Sequence, residues 1–389
     1  MLEKHLYTVP DYYPDFHCKM GACRSACCEG WPVSISLEDY YKLLSSDVSP
    51  ELKHRIDSSL HLHKHPTQED YAFIAHNYLG SCPLRLPDGR CALHAEAGEE
   101  ALSAVCRLYP RGPRAEGDFE CSCANSCEGV IELFLHRTEP IGFIQRELSF
   151  DLPAQKGRSI YFETVGREQE LRLYLIRLMQ DRSLRLPLRL MRLADALDYM
   201  EKLLADKDEK GIDALLNGAP VPAAPAESAA GAAQLEKGLE ITEKMMEVID
   251  DRSDSVRGYG ANILNAFKSA AEPLSAYEEA KARFEKLLPN HENFFEHMLV
   301  NHMFFERFPF QDRPLTLYDE FIAMCAGYSL LRFLCVGSCL KQASESDIAD
   351  VCAAAFRLVD HTSFDHFSAL LFRRLEFTSR AQMVSLISL

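Results

Sequence analysis

Phe16-His17-Cys18-Lys19-Met20-Gly21-Ala22-Cys23-Arg24-Ser25-Ala26-Cys27-Cys28-Glu29-Gly30-Trp31 sets four thiols within eleven residues, two of them adjacent. Four sulfurs so close along a chain do not pack as ordinary core side chains unless a partner draws them together. Thiolates are natural ligands of zinc and of iron-sulfur clusters, so a metal is the expected partner. Ten of the fourteen cysteines precede residue 130, at 18, 23, 27, 28, 82, 91, 106, 121, 123 and 127, which concentrates the thiol chemistry in the first third. Disulfides are the competing use of such a cluster, but dense disulfides belong to small secreted domains. This chain has 389 residues and begins Met-Leu-Glu-Lys-His, without a basic leader, apolar core or small-residue cleavage site. Metal binding leads; redox thiols and inert buried cysteines follow.

Outward from this motif, Tyr7 to Phe16 holds two prolines and four aromatics and should lie extended as cover. Tyr12 and Tyr13 stand just before the first thiol, where they shield a cluster, line a substrate slot or simply pack. On the other side, Ser36 followed by Asp39 predicts a capped helix from Leu37 to Leu44, with Trp31, the only tryptophan, as its apolar lid. His61, His63 and His65 alternate ahead of Pro66 and read as a solvated loop or strand edge. Asp88-Gly89 predicts a turn that puts Cys82 and Cys91 on its two arms. A short helix from Glu99 should present Cys106 and stop at Pro110, and a last thiol group, Cys121, Cys123 and Cys127, leads into an apolar helix from Val130 to Leu135. If extended, Cys121 and Cys123 point the same way.

The pattern Phe16-His17-Cys18-x4-Cys23-Arg24-x2-Cys27-Cys28-x-Gly30-Trp31, with Cys82-Pro83-Leu84, Gly89-Arg90-Cys91, Cys106-Arg107-x-Tyr109-Pro110-Arg111 and Ser122-Cys123, resembles the flagellin lysine-N-methylases, the FliB family. The resemblance reaches the second half at Glu292-Asn293-Phe294-Phe295-x3-Leu299-Val300-Asn301-His302-x5-Phe308-Pro309-Phe310. It implies S-adenosylmethionine-dependent methylation of flagellin lysines, with a four-iron cluster held by the Cys-rich motif. The matching positions are Cys18, Cys23, Cys27, Cys28, Cys82, Cys91, Cys106 and Cys123; Cys121 and Cys127 fall outside the pattern. Eight thiols serve two metal sites, or one cluster plus structural thiols. A wider group sharing the double-cysteine element is described as zinc or iron chelators, which leaves a non-catalytic zinc- or iron-binding protein as the alternative and zinc as the alternative metal.

Two departures bear on mechanism. Cys23-x3-Cys27 runs straight into Cys28, unlike the C-x3-C-x2-C spacing of radical S-adenosylmethionine enzymes. No glycine cluster sits in a strand-turn-helix context, and Gly258-Tyr259-Gly260, the nearest, reads as a loop between helices. A lysine must lose its proton before it attacks a sulfonium methyl, since its free pKa is about 10.4. Tyr12, Tyr13 and Tyr109 are the candidates to orient or accept that proton. Arg107 and Arg111 could hold a cofactor carboxylate, or balance the negative charge of thiolates.

From Gly166 the apolar spacing is helical, through Leu171 to Met179 and Leu188 to Leu204. Seven arginines between Arg167 and Arg192 face three acids, a basic patch suited to an acidic protein or anionic surface unless these are solvated helix faces. Asn217 to Ser228 is Pro/Ala-rich and reads as a linker. Beyond it, Leu235 to Ile249, Tyr277 to Leu287, Glu292 to Phe305, Leu317 to Leu340 and Ser346 to Val359 predict a helical bundle, with Cys325, Cys335, Cys339 and Cys352 and the histidines at 291, 297 and 302 as packing residues. The apolar stretch Phe321 to Leu340 contains Arg332 and reads as a buried helix, so no transmembrane segment is expected, although peripheral membrane contact stays open. A net charge of −16 argues against general nucleic-acid binding. The expected fold is mainly α, an irregular Cys-rich metal-binding module packed on helical domains: 1–135 the thiol module, 136–216 a helical connection, 217–234 the linker and 235–389 the helical carboxy-terminal domain. Flagellin is the expected partner and the cytoplasm the expected location.

Overall fold

A computed structural model describes residues 3–24, 27–29, 33–78, 80–115, 117–152, 161–222, 231–250 and 254–388. Trp31 and residues 223–228 of the Pro/Ala-rich segment lie outside these residues. The chain divides into two compact units, one of residues 1–133 and 142–157, the other of 134–141 and 158–389.

The first unit carries all the strands among the described residues. β1 (His5–Pro10) pairs antiparallel with the last strand of the unit, β5 (Phe143–Leu148), in the register His5↔Leu148 to Pro10↔Phe143. The expected extended segment is therefore a strand followed by a short 3-10 turn at Tyr13–Asp15. Residues 143–148, expected within a helical connection, fold back into the first unit. Their alternation of Phe143, Gln145 and Glu147 with Ile144 and Leu148 suits a half-exposed edge strand better than a helix face. The other flank of β1 bonds to the thiol-bearing segment, Thr8 N–H to the Phe119 carbonyl at 2.8 Å and Cys121 N–H to the Thr8 carbonyl at 3.0 Å.

A second small sheet has the order β2 (Val33–Ile35), β4 (Ala72–Ile74), β3 (Leu60–Leu62), all antiparallel. Its apolar face joins α1 (Leu37–Leu44) and α2 (Pro50–Ser59) in a core of Val33, Ile35, Leu43, Leu52, Ile56, Ile74, Leu84 and Leu93. α1 has the expected bounds, and Ser36 accepts from Asp39 N–H at 3.1 Å. The reciprocal half of a capping box is absent because Asp39 turns outward from its own helix: its Oδ2 accepts from Ala104 N–H at 3.0 Å. The histidines fall on the β3 edge as expected, His63 pairing with Asp70 at 2.9 Å. After α3 (Ala92–Ala97), the helix expected from Glu99 breaks into a 3-10 turn, Glu99–Ala101, and α4 (Ala104–Leu108), because Ser103 caps a new start. α5 (Glu128–Leu135) closes the thiol region.

Among the described residues, the secondary-structure elements of the second unit are all helices: α6 (Glu168–Met179), α7 (Leu186–Ala205), α8 (Glu209–Leu216), α9 (Gly231–Asp250), α10 (Asp254–Lys268), α11 (Pro273–Leu287), α12 (His291–Phe305), α13 (Leu317–Ser338), α14 (Glu345–His361), α15 (Phe364–Arg374) and α16 (Arg380–Ile387). α13 is long and apolar enough to cross a membrane by length and composition. It is instead buried all round by its neighbours α7, α10, α11, α14, α15 and α16, as its uniformly apolar faces require. Gly258-Tyr259-Gly260 is helical, within α10, rather than a loop. Lacking a Cβ, Gly260 lets the Met246 side chain of α9 lie against α10.

The basic patch is not a free surface. Arg172 and Arg189 are buried, Arg182 pairs with the fully buried Glu296 at 2.9 Å, and Arg189 also meets Glu296. Arg185 pairs with Glu292, Arg167 with Glu170 and Asp213, and Arg192 with Asp181. Several of these carboxylates come from α12, far along the chain, so a local count of charges misses them. The four later cysteines are buried as expected, Cys335 and Cys352 with their sulfurs 3.4 Å apart.

Candidate functional site

The fourteen cysteines are reduced thiols, and nine of the ten in the first unit fall into three neighbourhoods, with Cys27 between two of them. Cys28, Cys82, Cys91 and Cys106 form one. Cys82 N–H donates to the Cys28 carbonyl at 2.8 Å, Cys91 bridges Arg85 across the turn at Asp88-Gly89, and Cys28 and Cys91 pack on the core that holds Cys82. Burial pushes the Cys82 thiol up to about 12, and the nearby charges of Cys106, Cys28 and Cys91 add to it. Cys106, although the residue keeps an exposed surface, is pushed up to about 11 by desolvation from the chain packed around it, Ser103 opposing and Cys91 and Cys28 adding. Cys28 goes the other way, to about 7, because Cys27 hydrogen-bonds its thiolate and the Arg85 guanidinium stands close, against the cost of burial.

Cys18, Cys23 and Cys127 form the second neighbourhood. Their loop is pinned to the start of α5: Lys19 reaches the buried Glu128 and Glu132, both at 2.7 Å, Arg24 N–H donates to Glu128 at 3.1 Å, and the Arg24 side chain bonds Glu132 at 2.8 Å. Burial pushes Cys127 up to about 11, relieved by the N–H groups of Val130 and Gly129 and raised again by Cys23 and Cys18. Cys27 stands between the two neighbourhoods. Although the residue is exposed, its bond to Cys28 and desolvation by the surrounding chain push its thiol far up, and the charges of Cys106 and Cys127 both reach it. Gly21 and Gly89 make the approach of loop and turn close. Both have positive φ, and a Cβ on Gly21 would lie 2.6 Å from the Gly89 carbonyl carbon.

The third neighbourhood is sealed. Cys121 and Cys123 are fully buried with Tyr12 and Tyr13. The Cys121 thiol donates to the Tyr13 hydroxyl at 3.6 Å, and Cys123 N–H donates to the Tyr12 hydroxyl at 3.3 Å. Burial drives both phenols up, with the thiolate charges of Cys121 and Cys123 adding, so neither accepts a proton near neutral pH. Tyr109 is half-buried and bonds Ser126 at 3.0 Å. Arg107 is taken up by Asp151 at 2.7 Å. Arg111 lies over the rings of Phe16 and Tyr13, 5.3 and 6.0 Å from their centroids; burial pushes the Cys121 and Cys123 thiols up, and the Arg111 guanidinium opposes that rise.

The resemblance thus includes Cys123, which folds among the tyrosines, and leaves out Cys127, which folds beside Cys18 and Cys23. The missed signal is position: Cys127 opens α5, directly before the Glu128 that anchors the loop. Among the described residues, no three Cys, His, Asp or Glu side chains are disposed to hold one metal ion.

Fold and site define a mainly helical protein that gathers ten of its fourteen thiols in one partly β unit, followed by a unit whose described elements are all helices. The FliB lysine N-methylase C-terminal domain matches residues 172–386, over α6 to α16. Relatives include the lysine-N-methylases of Salmonella choleraesuis and Salmonella typhimurium, each 24% identical over 142 residues, which are 36% of this chain and 35% of theirs. The flagellar biosynthetic protein FliU of Salmonella muenchen is 28% identical over 130 residues, 33% of this chain and 76% of that protein. The match spans about a third of the length of those lysine-N-methylases. No solved structure matches the chain. On the family match, which covers more than half of its residues, the chain belongs to the FliB lysine N-methylase family.

Proposed function

We propose that this protein transfers methyl groups from S-adenosylmethionine to lysine side chains of flagellin, in a cytoplasm that keeps its thiols reduced, and that it depends on an iron-sulfur cluster. The observation that carries the reading is the gathering of thiols from separate stretches of one unit, in a chain whose helical unit belongs to this family. The donor chemistry suits iron or zinc, because thiols predominate in both neighbourhoods, with Glu29, Asp39 and Glu128 close by. Cys28, Cys82, Cys91 and Cys106 would hold one group, and Cys18, Cys23, Cys27 and Cys127 a second. An iron-sulfur cluster there would supply one-electron or Lewis-acid chemistry. The protein's own part is to hold Cys28 ready to ionise beside Arg85, to seal Cys121 and Cys123 behind Tyr12 and Tyr13, and to fix the loop of Cys18 and Cys23 through Glu128.

The test is anaerobic purification with iron and acid-labile sulfide analysis, followed by mass spectrometry of flagellin incubated with the protein and S-adenosylmethionine. Increments of 14 Da on lysine peptides, lost with Cys28→Ser, support the reading. Stoichiometric zinc and unmodified flagellin turn it toward a non-catalytic metal-binding protein.

A further inference from the structure

The helical unit holds two nucleophilic groups that the thiol neighbourhoods of the first unit do not use. Cys335 lies in the last turn of α13 and Cys352 two turns into α14, and their sulfurs stand 3.4 Å apart. Both side chains are fully buried. The connection between the two helices, residues 339–344, is exposed at Lys341 and Gln342, and the capping box of Ser344 and Asp347 fixes where α14 begins. The pair therefore sits inside the core but close to the end of the helix pair that meets water.

Two facing thiols gain little from each other as thiols, since S–H is a weak donor and sulfur a weak acceptor. The same contact is one short step from a covalent bond. A disulfide sets its sulfurs roughly 2.0 Å apart, so closing takes an approach of about 1.4 Å, which turns of the two side chains and small shifts of the helices share. Sixteen residues separate the two cysteines, a loop long enough for a cross-link to restrict the unfolded chain.

We propose that Cys335 and Cys352 are a reversible redox pair of the helical unit, closed to a disulfide by hydrogen peroxide and reopened by a dithiol reductant, so that oxidation ties α14 to the axis helix α13. The first sulfur attacks the peroxide O–O bond, becomes a sulfenic acid and releases one water. The second sulfur attacks that sulfenic sulfur and forms the S–S bond, and the hydroxyl leaves with the remaining thiol proton as a second water. Two thiols thus lose two electrons and two protons while the peroxide is reduced to two waters, and a dithiol returns both by exchange. Peroxide suits a buried pair because it is small and uncharged, and helix ends open locally at less cost than helix centres. Burial pushes the Cys335 thiol well up, with the adjoining Cys352 adding, so closing is slow and the pair answers sustained oxidation. The inference stands on packing within the helical unit and is independent of the methylase reading.

The experiment treats the full chain, purified without oxygen, with excess hydrogen peroxide, blocks remaining thiols with N-ethylmaleimide and maps tryptic peptides without reduction. Cleavage at Arg332, Lys341 and Arg357 leaves Cys335 and Cys339 on one peptide and Cys352 on the next. The expected result is a linked pair two hydrogens lighter than the sum of its peptides, at least tenfold above the untreated sample, with fragmentation placing the bond at Cys335 and dithiothreitol abolishing it. Cys325, buried on the same helix, should stay a thiol. The treated protein should unfold at least about 3 °C higher than treated Cys352→Ala. Cys335 and Cys352 recovered as thiols or as sulfinic acids, a bond at Cys339 instead, or equal oxidation of Cys325 overturns the proposal. The peptide map of the wild type decides this by itself should Cys352→Ala fail to fold.

Discussion

Cys28 and His302 show how far a neighbour moves a side chain from its ordinary chemistry. With its thiol near 7, Cys28 should be the first cysteine alkylated in metal-free protein at pH 7.5, whereas Cys121 and Cys123, buried beside tyrosines, should react only on unfolding. Peptide mapping after timed iodoacetamide exposure checks this, and equal labelling of Cys28 and Cys123 would count against the arrangement. For His302, burial pulls the imidazole down, but the bond and charge of Asp360, with Asp365 and Glu306, outweigh it and push the ring up to about 9. A pKa raised on folding stabilises below the unfolded value of about 6.5 and ceases to do so as pH rises through about 9. His302→Gln should therefore cost most stability at pH 6 and less at pH 9.5, measured by urea unfolding. Glu306 has the opposite balance. Its raised carboxyl carries an ionisation cost that grows from about pH 4.5 to about 7, so Glu306→Gln should gain on wild type, by on the order of 2 kcal/mol, between pH 4 and pH 8.

Among the elements, the thiol neighbourhoods depend on a few backbone tethers rather than on long secondary structure. Asp39 of α1 caps α4, the helix that carries Cys106, so Asp39→Ala should cost about 1 kcal/mol and loosen Cys106 most. Gly89 has φ +86° and touches the Gly21 carbonyl, leaving no room for a Cβ. Gly89→Ala should cost at least about 1–2 kcal/mol in backbone strain and separate the Cys18–Cys23 loop from the Cys91 turn. Thermal unfolding together with the iron content of the purified variant reads both effects, and unchanged values for both would show that the contact does not hold the thiols together. In the other unit, α13 supplies the axis. Because every face of it is apolar and covered, its single arginine, Arg332, bonds the Tyr328 hydroxyl at 3.3 Å instead of reaching water.

Over the whole molecule, two thiol neighbourhoods in one unit make a counting prediction. With about four iron per cluster, full occupancy of both gives about eight iron, Cys127→Ser should lower the content toward four, and Cys123→Ser should leave it unchanged. Loss of iron in Cys123→Ser alone would restore the ligand set that the resemblance implies.

Much of this was legible in local pattern. The thiol concentration, the Ser36 cap, the turn at Asp88-Gly89 and the apolar run of α13 each follow from residues within a few positions of one another, where periodicity and turn chemistry act. The mainly helical class follows from the same short-range signals. What tertiary structure alone decided is pairing across distance: β5 against β1, α12 carboxylates against the arginines of the α6–α7 region, Cys127 rather than Cys123 beside Cys18 and Cys23, and the meeting of His302 with Glu306, Glu320, Asp360 and Asp365. Burial makes those choices. A charge or thiol must find its partner wherever the packed chain brings one, because inside the core water no longer substitutes for it.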